Sequence, residues 1–117
     1  MALRGATTVP ADTREELVAR TEELLVELLK RNRVEHDDLV SIVFTATDDL
    51  HSEFPAVAAR NLGMGDVPLL CARELAVDHG NPMTVRVLVH CYSPTPRADL
   101  RHAYLHGARN LRDDLPG

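Results

Sequence analysis

Met83-Thr84-Val85-Arg86-Val87-Leu88-Val89-His90-Cys91-Tyr92 reads as a β-strand both by composition and by period. Its β-branched residues favour an extended backbone over a helix. The two-residue repeat sends Val85, Val87, Val89 and Cys91 to one face, and Thr84, Arg86, Leu88, His90 and Tyr92 to the other. The first set is a core face. The second carries a cation in its middle, and a guanidinium covered by other groups keeps its proton and requires an anionic or hydrogen-bonding partner. Two readings stay open from this strand alone: an arginine held for a ligand, or a half-exposed arginine that reaches water along its own stem.

Moving outward from the strand, Asp78-His79-Gly80-Asn81-Pro82 is a turn cluster. Before it, Val67-Pro68-Leu69-Leu70-Cys71 reads as a strand running on to Val77, and the turn predicts that this strand pairs antiparallel with the Arg86 strand. On the other side, Ser93-Pro94-Thr95-Pro96 ends the strand, with Thr95 and Pro96 opening a predicted helix that contains Ala98 to His102.

Nearer the start, Leu3 to Val9 is a short strand carrying Arg4, with Gly5 beside it allowing close approach of backbone or ligand. Asp12 or Thr13 caps a long amphipathic helix from Arg14 to about Arg31, whose apolar positions include Leu17, Val18, Leu24, Leu25, Leu28 and Leu29. Leu39 to Thr47 is apolar on both faces and reads as a central strand. Asp48, Asp49 and His51 fall on a loop, and a short helix from Pro55 through Leu62 is stopped by Gly63. The order β-α-β-α-β-β-α predicts an α+β domain: one mixed, mostly antiparallel sheet with helices packed on one face.

The 117 residues make one domain, small enough that assembly would help bury apolar surface. Apolar residues on both faces of the Leu39 strand point the same way. A net charge of −5 argues against nucleic acid as a partner, and no apolar run is long enough for a membrane span. The opening Met1-Ala2-Leu3-Arg4-Gly5 lacks the apolar core of a secretory signal, so a cytoplasmic protein is expected. Cys71 and Cys91 lie in apolar strand contexts and read as reduced core thiols.

Six histidines invite a metal reading, and His102 with His106 has the four-residue spacing of a helical ligand pair. No cysteine or acidic partner recurs at a matching spacing, so no metal is expected. Gly63-Met64-Gly65 is a turn, because a phosphate loop needs further glycines and a following Lys-Ser/Thr. Ser41, Ser52 and Ser93 lack a nucleophile-elbow context, and Cys71 has no activating histidine close in sequence. What remains is a set of single polar groups on apolar elements: Arg4, Cys71, Glu74, Arg86 and Tyr104.

Taken in order, Arg4-Gly5-Ala6-Thr7-Thr8, Phe54-Pro55-Ala56, Val67-Pro68 followed by Cys71 and Glu74, Val85-Arg86-Val87, Arg101-His102-Ala103-Tyr104-Leu105 and Leu111-Arg112 resemble the small monofunctional chorismate mutases of the Bacillus type. The resemblance spans essentially the whole chain. It implies an enzyme that rearranges chorismate to prephenate on the shared route to phenylalanine and tyrosine. It also implies a pseudo-barrel homotrimer with active sites between subunits, and no cofactor. By the same resemblance Arg4, Arg86 and Tyr104 hold the substrate carboxylates and ether oxygen, and Glu74 binds the ring hydroxyl. The segment Leu70, Cys71, Ala72, Arg73, Glu74 lines the pocket, and Phe54 and Arg60 approach from the adjacent subunit. Val57 stands where the best-known members carry lysine, which leaves Arg60 as that helix's cation.

The chemistry matches the residue inventory independently. An intramolecular rearrangement of a dicarboxylate needs a pocket that holds one compact conformer and stabilises charge on a breaking ether, with no nucleophile or general base. Two alternatives are set beside it: a noncatalytic trimeric module that binds a small carboxylate and regulates a partner, which needs the arginines but not Glu74, and a metal hydrolase using His51, His102 and His106.

Overall fold

The computed structural model describes residues 1–112, and of Arg112 the main chain alone. Five strands form one sheet: β1 (Ala2–Thr8), β2 (Leu39–Ala46), β3 (Leu69–Arg73), β4 (Thr84–Cys91) and β5 (Ala103–Tyr104). Two helices, α1 (Arg14–Arg31) and α2 (Ala56–Asn61), and short 3₁₀ turns at His36–Asp38, Arg97–Asp99 and His106–Arg112 complete it. The strand order is β3-β2-β4-β1-β5. β4 pairs antiparallel with both neighbours, whereas β3 runs parallel to β2 and β5 parallel to β1. The sheet is therefore mixed, and its longest pairings are antiparallel, as predicted.

The period-two reading of β4 holds. Val85, Val87, Val89 and Cys91 are buried, and with Leu3, Ile42 and Phe44 they meet Leu17, Leu24, Leu25 and Leu28 of α1. Burial of that apolar face is the main stabilising contribution, and it pushes the Cys91 thiol above its ordinary pKa. Thr13 caps α1, its Oγ1 accepting from Glu16 N at 3.2 Å. Glu15 and Glu16 in the first turn and Lys30 and Arg31 in the last complement the helix dipole. Gly63, at φ +86, ends α2 in the left-handed region that glycine adopts without strain.

Four sequence expectations are corrected. β3 does not pair with β4, because both edges of β4 are taken by β1 and β2; β2, α2 and β3 instead form a crossover unit with parallel strands. β3 also stops at Arg73 rather than Val77: Glu74 N makes a last bond to Ala46 O, after which Leu75 is 81% exposed. β2 is an interior strand, but the central place belongs to β4. The predicted helix over Ala98–His102 is only the turn Arg97–Asp99, followed by β5.

The reason for the last difference is Asn32, just past α1. Its Nδ2 donates to Leu28 O and to Arg101 O, both at 2.7 Å, while its Oδ1 accepts from Arg101 N at 2.8 Å. Both backbone groups of Arg101 are thus withdrawn from a helix and the chain is held extended, so that Ala103 and Tyr104 add to the edge of β1. His102 and His106 consequently do not share a helical face.

Gly5 permits the close packing of β1. A Cβ there would stand 3.0 Å from Leu24 Cδ1 and 3.2 Å from both Ala103 O and Val87 Cγ2. Gly5→Ala is therefore predicted to destabilise the fold by about 1 to 3 kcal/mol. The measurement is urea denaturation, where the midpoint should fall with an unchanged slope; a wild-type midpoint would show that α1 yields at Leu24 without cost.

Candidate active site

α1 and α2 cover one face of the sheet, so the other face presents its side chains in rows set by strand register. Ala72, Thr45, Arg86, Ala6 and Tyr104 stand side by side across all five strands. The next row holds Leu70, Val43, Leu88 and Arg4. Neighbours in such a row have Cβ atoms about 5 Å apart, so Arg4, Arg86 and Tyr104 converge although 82 residues separate Arg4 from Arg86 in sequence. Ala6, between Arg86 and Tyr104 in the row, is fully buried and packs with Tyr104 and Ala108.

On this face lies a concavity of about 300 Å³ bordered by Arg4, Val43, Thr45, Glu74, Arg86, Leu88 and Tyr104. Glu74 Oε2 lies 3.0 Å from Arg86 Nε and accepts from Thr45 Oγ1 at 2.7 Å. Nε is shielded from solvent and has no aligned hydrogen-bond partner among the described residues, so the contact is ionic. The Arg86 side chain retains 42% of its accessible surface, which leaves the guanidinium free to meet a ligand. Burial raises the Tyr104 phenol above the ordinary tyrosine pKa, and Arg4 and Arg86 oppose that shift as nearby cations do.

The Leu70–Glu74 segment divides by the strand's alternation. Leu70, Ala72 and Glu74 share the open face, while Cys71, opposite Phe44, and Arg73, paired with Asp48 at 3.3 Å, face the other way. The bonds from Ile42 N to Pro68 O and from Glu74 N to Ala46 O assign the even-numbered residues of this segment to the ladder with β2. The N–H and C=O of Cys71 therefore point off the free edge of the sheet. Phe54, 66% exposed, borders a separate concavity of about 400 Å³ with Cys71 and Arg73. Arg60 lies exposed on α2. Neither Phe54 nor Arg60 borders the Arg86 concavity in this chain, and the Arg112 side chain falls outside the described residues.

Sequence reasoning missed three contributors. Val43 and Leu88 border the concavity as apolar strand residues; the period of β4 sets Leu88 off its core face, but only the register shows what either residue borders. Thr45 gave no signal apart from β-propensity. Among the described residues no three His, Cys, Asp or Glu side chains are grouped to hold a metal ion. The histidines have other partners: His51 lies beside Asp12, His106 bonds Glu23, and His102 Nδ1 accepts from Arg4 N at 3.0 Å.

Two arginines, a carboxylate and a phenol border one concavity on the open face of a mixed sheet in an α+β domain. A family profile described as chorismate mutase type I matches residues 1–115. The chain is 46% identical over 114 residues to chorismate mutase AroH of Thermus thermophilus, spanning 97% of this chain and 93% of that protein. It is 40% identical over 114 residues to the AroH chorismate mutase of Bacillus subtilis, with 97% and 90% covered. The solved chorismate mutase from Clostridium thermocellum superposes with a TM-score of 0.92 at 43% identity, covering 94% of this chain and 98% of the other. The chain belongs to the type I chorismate mutase family, and its fold is theirs.

His102 gives the site's supporting shell a pH dependence. Burial first, then the charge of Arg4, holds its imidazole below the ordinary histidine pKa. The unfolded chain therefore binds this proton more readily, so the contribution is fully present above about pH 6.5 and is lost as pH falls below it. His36, raised by its bond to Asp66, acts in the opposite sense. The prediction is a difference between variants: in thermal melts from pH 7.5 to 5, His102→Gln, which keeps an acceptor for Arg4 N, should lose less stability than wild type. Parallel curves would contradict it.

Proposed function

We propose that this chain catalyses the rearrangement of chorismate to prephenate, in the biosynthesis of phenylalanine and tyrosine, as a cytoplasmic homotrimer. The observation that carries the reading is the convergence of Arg4, Glu74, Arg86 and Tyr104 on one concavity of the bare sheet face, in a chain of this family. The reaction breaks an ether carbon–oxygen bond and forms a carbon–carbon bond within one molecule, so atoms and charge balance without a nucleophile or added cofactor. Acceleration then comes from holding the compact conformer and stabilising charge as it develops.

In this reading Arg4 and Tyr104 hold substrate carboxylate, Glu74 accepts from the ring hydroxyl, and the Arg86 guanidinium donates to the ether oxygen as its bond breaks. The outward main chain of Cys71 adds polar contacts from the sheet edge, with Leu70, Ala72, Val43 and Leu88 supplying apolar wall. Arg73, turned away in its own protomer, stays a lining residue through its main chain. Phe54 and Arg60 complete the site from the adjacent subunit, Arg60 supplying the cation that Val57 does not. The trimer is supported by the uncovered sheet face, where Leu70 is 62% and Tyr92 is 74% exposed.

The direct test is chorismate depletion by the purified protein with prephenate as product; unchanged chorismate refutes the activity. Arg86→Ala should lower kcat at least about a hundredfold with a smaller change in KM, the loss of roughly 3 kcal/mol expected for one preorganised donor. Arg86→Lys should recover only a small part, because a point charge lacks the planar fork; near-normal kcat in the lysine variant removes Arg86 from this role. For the assembly, sedimentation should give a trimer, and mixing inactive Arg86→Ala and Arg60→Ala chains should restore activity at sites that draw one intact residue from each. A monomer, or mixtures that stay inactive after subunit exchange, would contradict the shared site.

A further inference from the structure

Glu74 is the first residue beyond β3, and its N–H, bonded to Ala46 O at 3.0 Å, is the last tie to the sheet. Its side chain has no ladder neighbour to hold it. A carboxylate so placed beside a guanidinium has an attractive alternative, the fork-to-fork pair in which both oxygens occupy two parallel N–H donors. That pair would occupy the groups through which Glu74 and Arg86 act on a ligand.

The observed arrangement differs. Thr45 Oγ1 donates to Glu74 Oε2 at 2.7 Å, and Arg86 Nε approaches the same oxygen at 3.0 Å. One carboxylate oxygen thus takes both contacts, and neither engages Oε1. Thr45 is placed by two ladders at once, opposite Arg86 on β4 and opposite Ala72 on β3. Its β-branched side chain has few χ1 choices on a strand, so the hydroxyl sits at a fixed height beside the guanidinium. An interior strand position next to Val43 would accept valine equally well for packing, and the hydroxyl is what threonine adds.

We propose that Thr45 is a positioning residue for the reaction. By holding Oε2 it keeps Glu74 from closing on Arg86 as a bidentate pair, so that Oε1 remains available to a substrate hydroxyl and the outer nitrogens of Arg86 to the breaking ether. The inference rests on the chorismate mutase activity proposed above and on the roles given there to Glu74 and Arg86.

The test is steady-state kinetics on the assembled protein for wild type, Thr45→Val, Thr45→Ser, Glu74→Ala and the Thr45→Val/Glu74→Ala double variant, with thermal melts alongside. Thr45→Val, nearly isosteric, should melt close to wild type while kcat falls about tenfold and KM changes by less than about threefold, as for loss of one hydrogen bond to a charged group. Thr45→Ala carries the same expectation should the valine variant not fold. Thr45→Ser should return kcat to within about twofold of wild type, and in the Glu74→Ala background Thr45→Val should add less than about twofold, since the group it positions is gone. An unchanged kcat in Thr45→Val, or a full loss persisting without Glu74, overturns the positioning role and leaves the activity standing. A wild-type protein that does not convert chorismate overturns both.

Discussion

The ion pair between Arg86 and Glu74 depends on the sheet, and the site depends on the ion pair. Arg86 lies at the middle of the central strand, Glu74 at the end of an edge strand, and β2 stands between them. Removing one partner of a shielded pair leaves a charge that the fold has already partly taken out of water, which is costly. Here the cost is contained because the guanidinium stays partly open and because Thr45 shares the carboxylate. A charged group that is partly shielded and partly free is suited to catalysis, since the environment fixes its direction while its donors stay available to a ligand.

Placing a cation there constrains the rest of the sheet. Its helix-covered face must be largely apolar to stabilise a domain of this size, and Val85, Val87 and Val89 alternate with Arg86 to meet that demand. The open face combines apolar wall residues with the site's charges, and no helix of the described residues covers it. A second, small cluster of Ala6, Tyr104 and Ala108 closes only the β1–β5 edge. The row through Arg86 thus ends in the buried phenol of Tyr104 on one side and at the unpaired edge of β3 on the other.

The polar groups that support the site come from separate parts of the chain. Asn32 at the end of α1 ties down the main chain of Arg101, which places β5, and β5 carries Tyr104 into the row with Arg86. His102, next along, accepts from the main chain of Arg4. Loss of Asn32 would therefore reach the site through the backbone although Asn32 touches none of its residues.

Local chemistry alone was enough for much of this. The alternation of valines around Arg86, the helical period of α1 and the glycine stop after α2 are settled by neighbours within a few residues and appear as read, and of the two caps offered, Asp12 and Thr13, the structure uses Thr13. Arg4, Glu74, Arg86 and Tyr104 stood out as polar groups on apolar elements and the whole-chain resemblance carried the family and their roles, while spacing in sequence could not bring them together. Pairing partners are chosen by competition among distant edges, so the place of β3 beside β2 rather than β4 was not legible, nor was a two-residue strand too short to show a period. Thr45 shows the limit most clearly. On its strand it is one more β-branched residue, and only the register that sets it opposite Arg86 and within reach of Glu74 gives its hydroxyl a partner, because hydrogen bonds act over a few ångströms in space and carry no mark along the chain.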